Sequence, residues 1–117
     1  TFSDKAIGLM GNDLKLTSRI QQAGEATGER CWELPMWDEY LELIKSDFAD
    51  LKNVGSGYGG TITAAKFLGE FATGYPWAHL DIASCAWADS EKPYAPKGAT
   101  GVGVRLLAHL LKNWSKK

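Results

Sequence analysis

At 117 residues the chain has the size of one ordinary domain, and its 44% hydrophobic and 23% charged residues argue against wholesale disorder. Its 13 basic and 14 acidic residues leave a formal charge of -1, which argues against a partner held mainly by neutralising phosphates, and so against nucleic acid. Cys31 and Cys85 are too few for a disulfide framework and lack zinc-ligand spacing, which favours a reducing, cytoplasmic compartment; no apolar run approaches the ~20 residues that span a bilayer.

In chain order, Ala6-Ile7-Gly8-Leu9-Met10 reads as a short buried strand, ended by the turn-prone Gly11-Asn12. Asp13 is placed to cap a helix in which Leu16, Ile20 and Ala23 recur at helical spacing, and Gly28 is placed to stop it. Cys31-Trp32-Glu33-Leu34 reads as a strand broken by Pro35. A second helix is predicted from Asp38 to about Phe48, with Leu41, Ile44 and Phe48 on one face. The alternation from Phe48 to Val54 suits an edge strand or an extended segment, and Gly55 to Gly60 must be loop.

Thr61 or Thr63 can cap a third helix carrying Ala64, Leu68 and Phe71 at helical spacing, closed by a turn at Gly74-Tyr75-Pro76. Trp77 to Ala83 is the clearest strand, with Ala78, Leu80 and Ile82 on one face. A proline-containing loop from about Asp89 to Gly98 leads to a last helix over Gly101 to Asn113, striped by Val102, Leu106 and Leu110. The terminal Lys112, Lys116 and Lys117 read as a solubilising end. Strands alternating with helices predict a layered α/β fold, and so few strands read as the end of a larger sheet.

Several constellations are chemically suggestive. Lys97-Gly98-Ala99-Thr100-Gly101-Val102-Gly103 precedes a helix and either holds a phosphate or carboxylate or is a glycine-rich entry capped by Thr100; it matches neither the dinucleotide fingerprint nor the P-loop. The glycines of Asn53 to Gly60 suit either a ligand-approaching loop or a plain connection. His79 and Asp81 share one strand face, as a metal or acid–base pair or as a hydrogen-bonded structural pair, the latter favoured because no third ligand is near in sequence. Cys85 follows that strand as either a nucleophile or an inert thiol. Trp32, Trp37, Trp77, Trp87 and Trp114 suit core packing for the most part, with an interface as the alternative.

Taken together, five blocks resemble the leucine (cytosol) aminopeptidase family. They are Gly28-Glu29-Arg30-Cys31-Trp32-Glu33-Leu34-Pro35-Met36-Trp37-Asp38-Glu39-Tyr40, Ser46 to Gly55, Thr61 to Ala65, Trp77 to Ala83, and Pro96 to Leu107. The resemblance implies that residues 1–117 are a partial C-terminal catalytic domain, part of a larger three-layer α/β/α exopeptidase domain, with the metal-ligand region and an N-terminal domain upstream of it. It implies a parent that releases N-terminal amino acids, preferably leucine-like, from peptides, assembles as a hexamer, and carries two divalent ions (zinc or manganese). In the family those ions are held by a lysine and by carboxylates of an NTDAEGR motif that this sequence lacks. Paired metals of this kind activate water and polarise the scissile carbonyl.

The chain by itself is therefore expected to contribute no catalytic residue, to hold no metal, and to have no peptidase activity. By resemblance, Ala83 and Ala86 line the pocket for the substrate's N-terminal side chain, and Val54 lies beside the pocket for the next residue. Relatives often carry glycine at the Ser84 position and sometimes a larger residue at the Ala86 position, so a small Ala86 leaves room for bulky apolar side chains. The Asn53–Gly60 loop becomes a functional expectation, while His79, Asp81 and Lys97–Gly103 become structural ones. The alternative is a non-catalytic structural or assembly module using its tryptophans, with a small nucleotide binder at Lys97–Gly103 as a weaker third reading. An uncovered sheet edge adds the expectation of self-association.

Overall fold

The computed structural model describes residues 2–44 and 60–116. Its centre is strand β1 (Ile7–Gly11), in which four consecutive residues, Ile7 to Met10, are buried. A strand covered on both faces has no polar side, which is why this one reads as a continuous apolar run. Helix α1 (Leu14–Thr27) follows; the Asp13 carboxylate accepts the Leu16 N–H at 2.8 Å, and Gly28, in the left-handed region, ends it. The crossover returns the chain to β2 (Cys31–Glu33), parallel to β1 with Ile7 opposite Cys31 and Leu9 opposite Glu33.

The third strand, β3 (Ala78–Asp81), pairs antiparallel on the other side of β1, with Gly8 opposite Asp81 and Gly11 opposite Ala78. The order β2-β1-β3 makes a small mixed sheet. Asn12 fixes the approach to β3: its side chain accepts the Trp77 N–H at 2.7 Å and donates to the Tyr75 carbonyl at 2.8 Å.

Alternation along β1 assigns the two faces. Ile7 and Leu9 join Ile20, Ala23 and Cys31 and reach Leu106 of α3 (Val104–Lys112), with Ala78, Leu80 and Ile82 packed alongside as their period-two spacing implied. Met10 points the other way, onto Ile62 and Ala65 of α2 (Gly60–Gly69), with Leu34, Met36, Tyr40 and Trp77 around it. Helices thus cover both faces of the sheet: α1 and α3 on one, α2 on the other. Among the described residues no helix is long and apolar enough to cross a membrane.

Several local expectations are corrected. The segment after Pro35 is a 3₁₀ helix over Asp38–Ile44 rather than an α-helix, and Phe48 lies outside the described residues, as does the Phe48–Val54 segment. Contacts of Met36 and Tyr40 with the Met10 cluster, and a bond from Lys66 of α2 to Asp38 at 3.1 Å, override the periodicity there. Helix α2 begins at Gly60, so neither Thr61 nor Thr63 caps it; the Thr63 hydroxyl instead donates back to the Gly60 carbonyl at 3.1 Å. Its Leu68 and the following Phe71 face outward, because the sheet takes Ile62 and Ala65 instead.

The last helix begins at Val104 rather than Gly101, since Gly101 and Gly103 both adopt positive φ. Its predicted stripe does pack, with Leu106 fully buried and Val102 and Leu110 partly so, but a second stripe of Val104, Leu107 and Leu111 is exposed. The loop before it contains a two-stranded pair, β4 (Trp87–Ala88) with β5 (Gly98–Ala99), too short to leave any periodicity in sequence. The tryptophans are not mainly core: Trp32, Trp37, Trp87 and Trp114 are exposed, and only Trp77 is half-buried.

Candidate functional site

The segment Ala83 to Ala86 leaves the end of β3 without regular structure, so its shape depends on the groups that bind its backbone. Asp81, the last residue of β3, accepts the Ala83 N–H at 3.0 Å. The Cys85 N–H closes a tight turn on the Ile82 carbonyl at 2.9 Å. From the far side Thr100 reaches across: its hydroxyl donates to the Cys85 carbonyl at 2.7 Å, and its N–H donates to the Ala86 carbonyl at 2.9 Å. Beneath, the Cys85 thiol donates to the Ala6 carbonyl at 3.4 Å, tying the segment to the start of β1.

Ala83 is exposed and Ala86 half-buried, and the short chain between them brings the two together on this one segment. Val54 and the Asn53–Gly59 stretch lie outside the described residues. A cleft of about 490 Å³ beside the segment is lined by Cys85, Ala88, Thr100, Val102, Glu29 and Arg105, among others, but not by Ala83 or Ala86.

Asp81 and His79 each have structural partners on this face. Burial pushes the Asp81 carboxyl up, yet the Ala83 N–H, a hydrogen bond from Thr61 and the nearby His79 ring outweigh it and hold the group below its ordinary value. The His79 ring stacks on Trp77, with ring centres 6.4 Å apart. Cys31 is buried, and burial together with the charges of Glu29 and Glu25 pushes its thiol up to about 11, so it stays protonated and inert at neutral pH.

Glu29 is the residue that sequence reasoning missed. It is buried, and its Oε1 accepts the N–H groups of Gly103 at 3.2 Å and Leu106 at 2.8 Å, while Oε2 lies 3.6 Å from Arg105 Nε. The carboxylate therefore caps α3 from a distant part of the chain. An internal anion thus takes these donors, in keeping with the structural expectation for Lys97–Gly103. Thr100 as the helix cap is corrected: its hydroxyl accepts the Val102 N–H at 3.2 Å but sits ahead of the helix. Gly103 has φ near 100°, a conformation that any side chain would strain, and this aims its N–H at Glu29. The signal in sequence was an acidic residue just past a helix-stop glycine, with nothing local to explain it.

A layered α/β segment with an irregular loop at a strand end is the class of structure these elements define. A sequence profile described as "Cytosol aminopeptidase family, catalytic domain" matches residues 1–108, and the chain belongs to that family. It is 62% identical over 105 residues to a probable cytosol aminopeptidase of Geobacter sulfurreducens, covering 90% of this chain and 21% of that protein. It is 56% identical over 112 residues to one of Roseiflexus castenholzii, covering 95% of this chain and 23% of that protein. A solved structure of a tomato leucine aminopeptidase mutant superposes with a TM-score of 0.83 at 38% identity, over 92% of this chain and 21% of the tomato chain. The chain thus spans about a fifth of the length of the curated relatives it matches.

The family implies a pair of metal ions. Among the described residues, no three His, Cys, Asp or Glu side chains gather closely enough to hold a metal, so these residues do not fit the pair.

Proposed function

We propose that this chain is the C-terminal part of the catalytic domain of a metal-dependent aminopeptidase, which removes N-terminal amino acids, leucine-like ones foremost, from peptides. Its own contribution is substrate shape: Ala83 and Ala86 border the pocket for the N-terminal side chain, and Val54 stands beside the next pocket. The zinc or manganese ions belong to residues of the parent outside the described ones, and the parent works as a homo-hexamer in the cytoplasm.

The observation that carries this reading is the clasped Ala83–Ala86 segment at the strand end, in a chain belonging to the cytosol aminopeptidase family. Exposed apolar side chains on α2 and α3 support membership of a larger body, since Leu68, Val104, Leu107 and Leu111 form faces that a complete domain buries. The test is turnover of leucyl-p-nitroanilide with added manganese. The full-length enzyme carrying this segment turns it over and the purified 117-residue chain does not. Turnover by the short chain alone overturns the proposal.

A further inference from the structure

A loop without helix or strand bonds keeps its shape only through the groups that grip it, so what grips the Ala83–Ala86 segment sets the width of any pocket it borders. Asp81 holds the Ala83 end from within β3. Thr100 holds the other end through both its hydroxyl and its backbone N–H. The hydroxyl gives its proton to the Cys85 carbonyl at 2.7 Å and accepts the Val102 N–H at 3.2 Å, while the backbone N–H serves the Ala86 carbonyl at 2.9 Å. Three residues on, the Gly103 N–H is fixed by the buried Glu29 carboxylate, so Thr100 is itself mounted on an anchored segment. It is placed to act on the backbone of the loop rather than on anything the loop contacts.

We propose that Thr100 is a positioning residue for substrate selectivity, fixing through the Cys85 and Ala86 carbonyls how far the loop stands from the substrate's N-terminal side chain. The inference rests on the reading that this loop borders that side chain. The chemistry favours a hydroxyl for the task. Thr100 is exposed, so replacing it creates no cavity in the core formed by Ile7, Leu9 and Leu106. Valine matches its shape but leaves the Cys85 carbonyl and the Val102 N–H without this partner. The backbone bond to Ala86 does not depend on the side chain and is kept in valine, alanine and serine variants, so the loop shifts rather than melts. Shifts of that kind act on selectivity, because a methylene's worth of pocket space changes discrimination by roughly 10- to 200-fold.

The experiment uses the full-length enzyme carrying this segment and reads the ratio of kcat/KM for leucyl- and alanyl-p-nitroanilide. Thr100→Val is expected to change that ratio by about tenfold, mainly through KM, and Thr100→Ser, which keeps the hydroxyl, restores the wild-type ratio. Should the valine variant fail to fold, Thr100→Ala removes the same hydroxyl and decides by the same ratio. Equal loss on both substrates, or no change on either, overturns the role of Thr100. Ala86→Met separates this from the reading beneath it. If Ala86→Met moves the ratio and Thr100→Val does not, the pocket stands and Thr100 is only structural. An unmoved ratio in Ala86→Met removes the loop from the substrate, and the proposal goes with it.

Discussion

Removing the Glu29 carboxylate tests how α3 is held. Both N–H groups it receives, from Gly103 and Leu106, converge on Oε1, and the side chain is only 6% exposed, so water cannot readily replace it. In Glu29→Ala the two donors lose their acceptor; at about 1–3 kcal/mol for each buried unsatisfied donor, and with partial relaxation, the cost is about 3–4 kcal/mol. The Arg105 pair adds little, because that side chain is 70% exposed and its charge is screened. Glu29→Gln keeps an Oε1 able to accept both N–H groups and loses only the charge and its interaction with the helix dipole, about 1–2 kcal/mol. With a urea slope of about 1.5 kcal/mol/M, the alanine variant unfolds about 2 M lower in urea and the glutamine variant about 1 M lower. Tryptophan fluorescence of the 117-residue chain follows both transitions. An alanine variant within about 0.5 kcal/mol of wild type, or a glutamine variant as damaged as the alanine one, would refute the cap.

Two further outcomes are expected. Leu106→Ala, in a fully buried position between α3 and the sheet, costs about 3 kcal/mol, whereas Leu111→Ala, 69% exposed on the opposite stripe, stays within about 0.5 kcal/mol; equal losses in urea unfolding would show that the stripes are assigned wrongly. For Cys31, burial and then the charges of Glu29 and Glu25 raise the thiol from its ordinary 9.0 to about 11, so the unfolded chain releases this proton first. The stabilisation from the neutral thiol is thus complete below pH 9 and lost as pH climbs through 11. The unfolding free energy measured across that range falls with pH in the wild type and less steeply in Cys31→Ala, and parallel profiles would contradict the burial of the thiol.

Elements set by local pattern were legible in the sequence. The continuous apolar run of β1, the Asp13 cap and Gly28 stop of α1, and the alternating face of β3 each follow from residues a few positions apart, and neighbours in sequence are what patterns record. The family was legible for a related reason, since the blocks carrying the resemblance include the glycines and strand-end residues whose backbone geometry is constrained. Tertiary structure decided what distant residues do to one another. It turned the stretch after Pro35 into a 3₁₀ helix, chose Ile62 and Ala65 over Leu68 for the core, and joined Glu29 to the head of α3 from 74 and 77 residues away. It also moved Thr100 from helix cap to loop clasp, because positive φ at Gly101 and Gly103 delays the helix and frees that hydroxyl for Cys85. Hydrogen bonds are directional and short, so which donor meets which acceptor is fixed only once the sheet has brought remote segments within about 3 Å.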